Sequence, residues 1–356
     1  DDRKCMQHLT DIIDDIQHKL PKPENIKKYL DKTVMNFKFY DKNRLYCNTI
    51  EDTNIINITL EEQHNITKQT HAYVTLFFPG YKIVNGNYEK SYSYVIGTLM
   101  VAYMLKNFPQ NIDLQTNNHI GTKASVLCMV TPDVDNYIIE ILKIYYDDVV
   151  IVPYIAWDNV LLPDDIKQDP TKMITITDVS KGNINIEHAY NKVFTKINMF
   201  NKRLFNYEKV IILDTDLFPF GYFDSLFSLD TPAGWLEHKR YKYEDNGIHD
   251  WQNNRCGFTK HGHKIPKEFT DIYNVYGSDV NASLYVISPN NDTYDEMINE
   301  LRTPIDNWFG IDKQHKGFWI ANMFFSLYYL PEQNYLTQKF SGKWTSIDLG
   351  FCTWLL

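Results

Sequence analysis

From residue 71 onward, short apolar, β-branched runs alternate with longer amphipathic ones, and this alternation constrains the fold more than any other feature. AYVTLFF (72–78), SVLCMV (125–130), DVVIV (148–152) and KVIIL (209–213) read as strands. YSYVIGTLMVAYMLKNF (92–108), NYIIEILKIYY (136–146) and a segment around 188–204 read as the helices between them. Strands separated by helices of this length mean βαβ units. The expected architecture is therefore α/β, a Rossmann-like, mostly parallel sheet flanked by helices. Further on, FDSLFSL (223–229) reads as a short helix, AGWLE (233–237) and NASLYVISP (281–289) as strands, and DTYDEMINELR (292–302) as a helix. FWIANMFFSLYYL (318–330) reads as a buried apolar segment, with PEQNYLTQKF (331–340) after it. Residues 1–70 lack the alternation and read as a helical N-terminal extension in front of one domain spanning 71–356.

Composition excludes some functions. A net charge of −9 argues against a nucleic-acid partner, which needs clustered Lys and Arg to displace counterions. The five cysteines (Cys5, Cys47, Cys128, Cys256 and Cys352) are odd in number and widely spaced, which favours free thiols in a reducing, cytoplasmic compartment. The secretory pathway and a virion are the alternatives. Sequons at Asn57, Asn65, Asn281 and Asn291 are read as chance in an Asn-rich chain. The longest apolar run, 94–105, is too short to cross a bilayer and reads as a buried helix. The chain starts at Asp1 without Met, so the expectation is a piece of a longer polypeptide.

Two D-x-D pairs follow strands. In TPDVDNY, Thr131 suits an N-cap and Pro132 a first helical position, so Asp133 and Asp135 are expected to complement a helix dipole. In KVIILDTDLFPF, Pro219 and Gly221 among aromatics leave no helix for Asp214 and Asp216 to cap. Two carboxylates among apolar residues call for positive charge. Ligands on parallel sheets bind beyond the carboxyl ends of the strands, where this pair sits. The plain alternative is a solvated strand end with a Lys or Arg partner.

Three enzyme chemistries put acids there. Haloacid-dehalogenase-like phosphatases use the first Asp as nucleophile in hhhhDxDx(T/V), but here Phe218 takes the last position and the motif comes late. Nucleotidyltransferases add a Gly-rich phosphate loop near the N-terminus, which this chain lacks. In nucleotide-sugar-dependent glycosyltransferases the carboxylates hold Mn²⁺ or Mg²⁺, hard cations that prefer oxygen ligands. A non-catalytic binding module of the same kind is the fourth reading.

Several motifs in order resemble the glycogenin-like members of glycosyltransferase family 8. THAYVTLFFPGY resembles the family's opening strand, with Leu76 and Tyr81 at its nucleotide-contacting positions. Lys196 in FTKI matches a Lys near the nucleotide-sugar, and KVIILDTDLFPFGYFDSLF resembles the family's strand, D-x-D and following turn. DVNASLYVISPNNDTYDEM resembles FNSGVFVYQPSVETYN and puts Asn281 on a sugar-contacting Asn. Glu237 sits where the family has an acidic residue. PEQNYLT resembles DQGLLN, with Glu332 for Asp and Gln333 retained.

The resemblance implies a GT-A fold, a UDP-sugar donor, Mn²⁺ (with Mg²⁺ the alternative) and retaining transfer to a protein or glycan acceptor, with a homodimer as a further assembly. Asp216 would ligate the metal and Asp214 both metal and ribose. Gln333 would stabilise an oxocarbenium-like sugar, while Glu332 or Glu237 would serve as nucleophile only if close to the anomeric carbon. The family's third metal ligand is a His in a C-terminal H-x-x-G-x-x-K-P-W segment. This chain stops at TWLL, so truncation of the domain is expected. The stretch 238–278 carries His249, Cys256, His261 and His263 at spacings that fit no standard zinc site, and reads as a loop over the acceptor side.

Overall fold

The computed structural model describes residues 66–84, 87–108, 110–113, 118–156, 164–169, 171–175, 188–219, 223–237, 261–271, 279–303 and 331–347. Residues 1–65 of the expected extension (1–70) and the apolar segment 318–330 lie outside them, as do Cys5, Cys47, Cys256, Cys352, Asn57, Asn65, His249 and residues 353–356.

The expected strands and helices alternate, with short strands between them that the sequence pattern did not include. In chain order the elements are β1 (His71–Phe77), β2 (Gly80–Val84), β3 (Asn87–Ser91), α1 (Val95–Asn107), β4 (Asn111–Asp113), β5 (Asn118–Ile120), β6 (Ser125–Val130) and α2 (Asn136–Tyr145). Next come β7 (Asp148–Ile151), β8 (Tyr154–Ala156), α3 (Asp164–Lys167), β9 (Met173–Thr175), a 3-10 helix (His188–Phe200) and β10 (Lys209–Leu213). The chain continues through a second 3-10 helix (Phe223–Ser228), β11 (Ala233–Glu237), α4 (Lys267–Thr270), β12 (Asp279–Ile287), α5 (Asn291–Leu301), α6 (Pro331–Lys339) and β13 (Thr345–Ser346).

Seven strands form one sheet in the order β13-β11-β12-β10-β1-β6-β7. β10, β1, β6 and β7 run parallel, and β13 runs parallel to β11, while β12 is antiparallel to both neighbours. This is the mostly parallel α/β sheet the alternation implied. Period-two side-chain alternation splits each strand between two apolar layers. Tyr73, Phe77, Val126, Cys128, Val130, Ile211 and Leu213 face the layer of α1 and α2. Ala72, Val74, Leu127, Met129, Val210 and Ile212 face the layer of the first 3-10 helix, α5 and α6. Both faces of the central strands are buried, which is why they read as continuous apolar runs.

Two local features set the surroundings of Asp214 and Asp216. In α1, a Cβ added to Gly97 would collide with the backbone carbonyl of Thr215, the residue between the two aspartates, so glycine lets the helix press against that turn. β12 begins beyond β10's end: Leu213 pairs with Leu284, and the Asp214 N–H donates to the Ser283 carbonyl at 2.9 Å. Residues 281–283 are thereby brought alongside the D-x-D turn.

The other pair needs a correction. The helix after TPDVD begins at Asn136, with Asp135 at the N-cap making no side-chain cap bond, and its first turn holds no acid. Asp133 is buried instead and accepts hydroxyls from Thr131 (2.7 Å) and Tyr154 (2.8 Å). Asp135 pairs with Lys90 at 2.8 Å. The role is structural as expected, but carried by tertiary bonds. Short-range capping lost because Tyr154 and Lys90, from other elements, offered the acids stronger partners.

Candidate active site

KVIIL runs into the sheet as β10, and its apolar side chains hold the strand so firmly that the aspartates emerge at a fixed point on the carboxyl edge. Asp214 is one-third exposed, and Asp216 is exposed. Partial loss of hydration and the like charge of Asp214 hold the Asp216 carboxyl above its ordinary range.

Lys196 supplies the positive charge that the pair required. It lies in the first 3-10 helix, long for that form, among Phe194, Ile197, Met199 and Phe200, which fasten the helix to the sheet. Its ammonium meets Asp214 Oδ1 at 2.8 Å, the Ala282 carbonyl at 3.1 Å and Glu332 Oε1 at 3.4 Å. Those acceptors match its three donors. Burial alone would lower the Lys196 pKa, but Asp214 and Glu332 together outweigh it, and it lies above the usual lysine value. Burial also raises Glu332, against the opposing pull of Lys196.

α6 brings the last members. Its residues Gln333 and Thr337 engage β12, with Gln333 Oε1 accepting the Ala282 N–H at 2.8 Å and Thr337 Oγ1 accepting that of Val280 at 2.9 Å. Gln333 is thus held by one edge of its amide against the strand whose Ser283 carbonyl binds Asp214. Asn281, 3% exposed, accepts from the Ser283 N–H (2.9 Å) and hydroxyl (2.6 Å), which turns its side chain back along β12.

Lys196, Asp214, Asn281, Glu332 and Gln333 therefore converge, from four separate elements, on the carboxyl edge. Leu76 is two residues beyond Val74, the partner of Ile212, and so stands level with Asp214 on the adjoining strand. Tyr81 belongs to β2 and Glu237 ends β11 opposite Asp279, but the side chains of both lie outside the described residues.

Among the described residues, no cluster of three or more His, Cys, Asp or Glu is arranged to hold a metal, and His261 and His263 join none. Asp214 and Asp216 each offer carboxylate oxygens, the donor type that a hard divalent cation takes.

Two residues escaped the sequence reading. Lys192, on the same 3-10 helix, is buried 5.5 Å from the centre of the Tyr154 ring, and desolvation pushes its ammonium down to about 8 despite Asp133. Asn334 is buried beside Gln333. The spacing from Lys196 was the only hint for Lys192, and adjacency to Gln333 the only hint for Asn334.

No protein family's sequence profile matches the chain. An uncharacterized protein, R707 of Acanthamoeba polyphaga mimivirus, is 23% identical over 282 residues, covering 79% of this chain and 71% of its own length. Among solved structures, the glycosyltransferase GlyE of Streptococcus pneumoniae TIGR4 aligns with a TM-score of 0.35 and 13% identity over 80% of this chain, which spans 46% of GlyE. The galactosyltransferase LgtC, solved with donor and acceptor sugar analogs, aligns with a TM-score of 0.39 and 11% identity, covering 78% of this chain and 73% of its own. Mouse xyloside xylosyltransferase 1 gives 0.35 and 12%, covering 79% and 85%. No helix among the described residues is long and apolar enough to cross a membrane.

Proposed function

We propose that this chain is a metal-dependent, retaining glycosyltransferase of the GT-A kind. It would move a hexose, glucose or galactose foremost, from a UDP-sugar to a hydroxyl of a protein or glycan. The observation that carries the reading is the meeting of Asp214, Lys196, Asn281, Glu332 and Gln333 at one sheet edge, the residues whose motifs resemble the glycogenin-like family.

In this reading Asp214 and Asp216 hold Mn²⁺ or Mg²⁺, which neutralises charge on the departing diphosphate when bound. The chain's own groups do the rest. Lys196 fixes the Asp214 carboxylate by sharing its three donors between Asp214, Glu332 and the Ala282 carbonyl, so the ligand is oriented before the donor arrives. The Ala282 N–H restrains Gln333 in the same way. Glu332 keeps Oε1 on Lys196, which favours its ionised form against burial. In its ionised form Glu332 would serve either to steady positive charge developing on the sugar or to attack its anomeric carbon.

The test is thermal unfolding with UDP and Mn²⁺ together and separately, then UDP release from UDP-glucose and UDP-galactose. Joint stabilisation and UDP release are expected. Absence of a joint shift would remove the reading, and a shift without release would reduce the chain to a binding module.

A further inference from the structure

β7 closes one side of the sheet, and among the described residues no strand pairs with its outer edge. Val152 donates its N–H to the Val130 carbonyl at 2.9 Å, which fixes the alternation along the strand. The backbone groups of Val150 therefore face β6, and those of Val149 and Ile151 face outward. The Val149 N–H is accordingly turned to the carboxylate of its own neighbour, Asp148, at 2.8 Å. Side chains at this edge are apolar. Ile151 is 57% exposed, and so is Ile144 in the last turn of α2, the helix packed on β7. Val149 packs on the layer of α1 and α2, so Ile151, two residues further, faces the same side. Proteins rarely leave such an edge bare, because it pairs with any extended chain that reaches it.

We infer that this edge is a docking surface for the chain's own segment 54–60, NIINITL, which adds to β7 as an outer antiparallel strand. The segment lies outside the described residues, and three observations select it. Its sequence suits a half-buried strand: it carries no charge, Gly or Pro, and Ile56, Ile58 and Leu60 alternate with Asn57 and Thr59. The chain also enters the described structure beside this edge. Ile66 is buried in the layer of α1 and α2, and the Lys68 carbonyl accepts the Ser125 hydroxyl (2.8 Å) at the foot of β6. Lys68 Nζ pairs at 3.1 Å with Asp147, the residue before β7. The outer position is two strand spacings from β6, about 10 Å. Residues 61–67 span up to about 23 Å, so Leu60 reaches the foot of the edge and the strand runs antiparallel. Register agrees as well. Ile56 opposite Ile151 sets Ile58 opposite Val149 and Thr59 opposite Asp148, with Leu60 at the end where α2 exposes Ile144. A shift by two residues would set Glu61 against Asp148 or Asn54 against Ile151. A second copy of β7 would set Asp148 against Ile151, and it lacks the tether that keeps this segment at high local concentration.

Hydrogen exchange of the full chain, read by mass spectrometry, tests the pairing from both sides. In the parent, peptides covering 54–60 and 148–152 should exchange at least about tenfold more slowly than an unfolded chain. Ile58→Pro removes the N–H that would pair with Val149. It should speed exchange across 148–152 by about tenfold, while residues 125–130 of β6 stay as protected as in the parent. Ile151→Lys changes an exposed side chain and should in return release 54–60 by a similar factor. The inference is overturned if 54–60 exchanges at the unfolded rate in the parent, or if each substitution changes only its own segment. Protection of 148–152 that grows with protein concentration and survives Ile58→Pro would also overturn it, giving the edge to a second copy of the chain. Ile58 lies outside the described fold, so Ile58→Pro decides the matter even if Ile151→Lys unfolds.

Discussion

The Lys196 ammonium lies 2.8 Å from Asp214 Oδ1 and 3.4 Å from Glu332 Oε1, so one buried cation ties the D-x-D turn to the first turn of α6. Removing one partner of such a group is far worse than never having built it, because the remaining carboxylates keep their desolvation cost and lose their compensation. Lys196→Met should therefore lower stability by about 3–5 kcal/mol, read as a shift in urea midpoint at an unchanged slope. A loss below about 1 kcal/mol would mean that water reaches Glu332.

Asp216 has the opposite stability profile. Its carboxyl is pushed up by lost hydration and by Asp214, so the unliganded protein gains nothing from it. Asp216→Ala should leave the unliganded unfolding temperature unchanged or slightly higher, while abolishing the stabilisation by UDP with Mn²⁺ and the release of UDP. A retained Mn²⁺-dependent shift would take Asp216 out of the metal site.

Gly97 sets two effects against each other. Alanine is the better helix former by about 1 kcal/mol, yet its Cβ would run into the Thr215 carbonyl. The obstacle is backbone, which cannot swing aside like a side chain, so the clash should win. Gly97→Ala is expected to cost about 1–3 kcal/mol and to weaken Mn²⁺-dependent UDP binding, because the displaced turn carries both aspartates. Thermal unfolding and UDP titration on one preparation would check both.

The sheet was legible in the residues because its central strands are buried on both faces and so announce themselves as uninterrupted β-branched runs. SVLCMV and KVIIL became strands with the expected bounds. The hairpin of β2 and β3 and the short strands β4, β5, β8, β9 and β13 were not foreseen, since they are brief and partly polar and depend on neighbours for pairing. At the site, resemblance pointed to Lys196, Asp214, Asn281, Glu332 and Gln333, but not to what binds what. The Lys196–Glu332 pair spans 136 residues, and only the crossing of α6 over β12 brings the two together. Asp133 shows the converse: local capping rules suggested one arrangement, and Tyr154 from another strand imposed a different one.

Lys192 yields a pH prediction. Its folded pKa of about 8 lies below the ordinary lysine value of 10.5, chiefly through burial, with Asp133 opposing. Between those values the unfolded chain binds a proton that the folded chain has released, so this group makes stability rise with pH across that window. Below pH 8 the folded protein carries the buried charge at full cost. Lys192→Met should thus be more stable than the parent at pH 7, by up to about 3 kcal/mol, with the advantage fading towards pH 10.5. Unfolding of both proteins at about pH 7, 8.5 and 10 would show it, and a pH-independent difference would contradict the assignment.

The place of α6 in the chain has a consequence for synthesis. A ribosome releasing this protein delivers β1, β6, β10 and β12 first, enough to pair the central strands and to set Asp214 beside Lys196. Glu332, Gln333 and Asn334 emerge only after β12, and closing so long a loop is slow. Nascent and prematurely ended chains would then contain the acidic turn without the helix that completes it. On the glycosyltransferase reading, activity would appear only once α6 docks on β12.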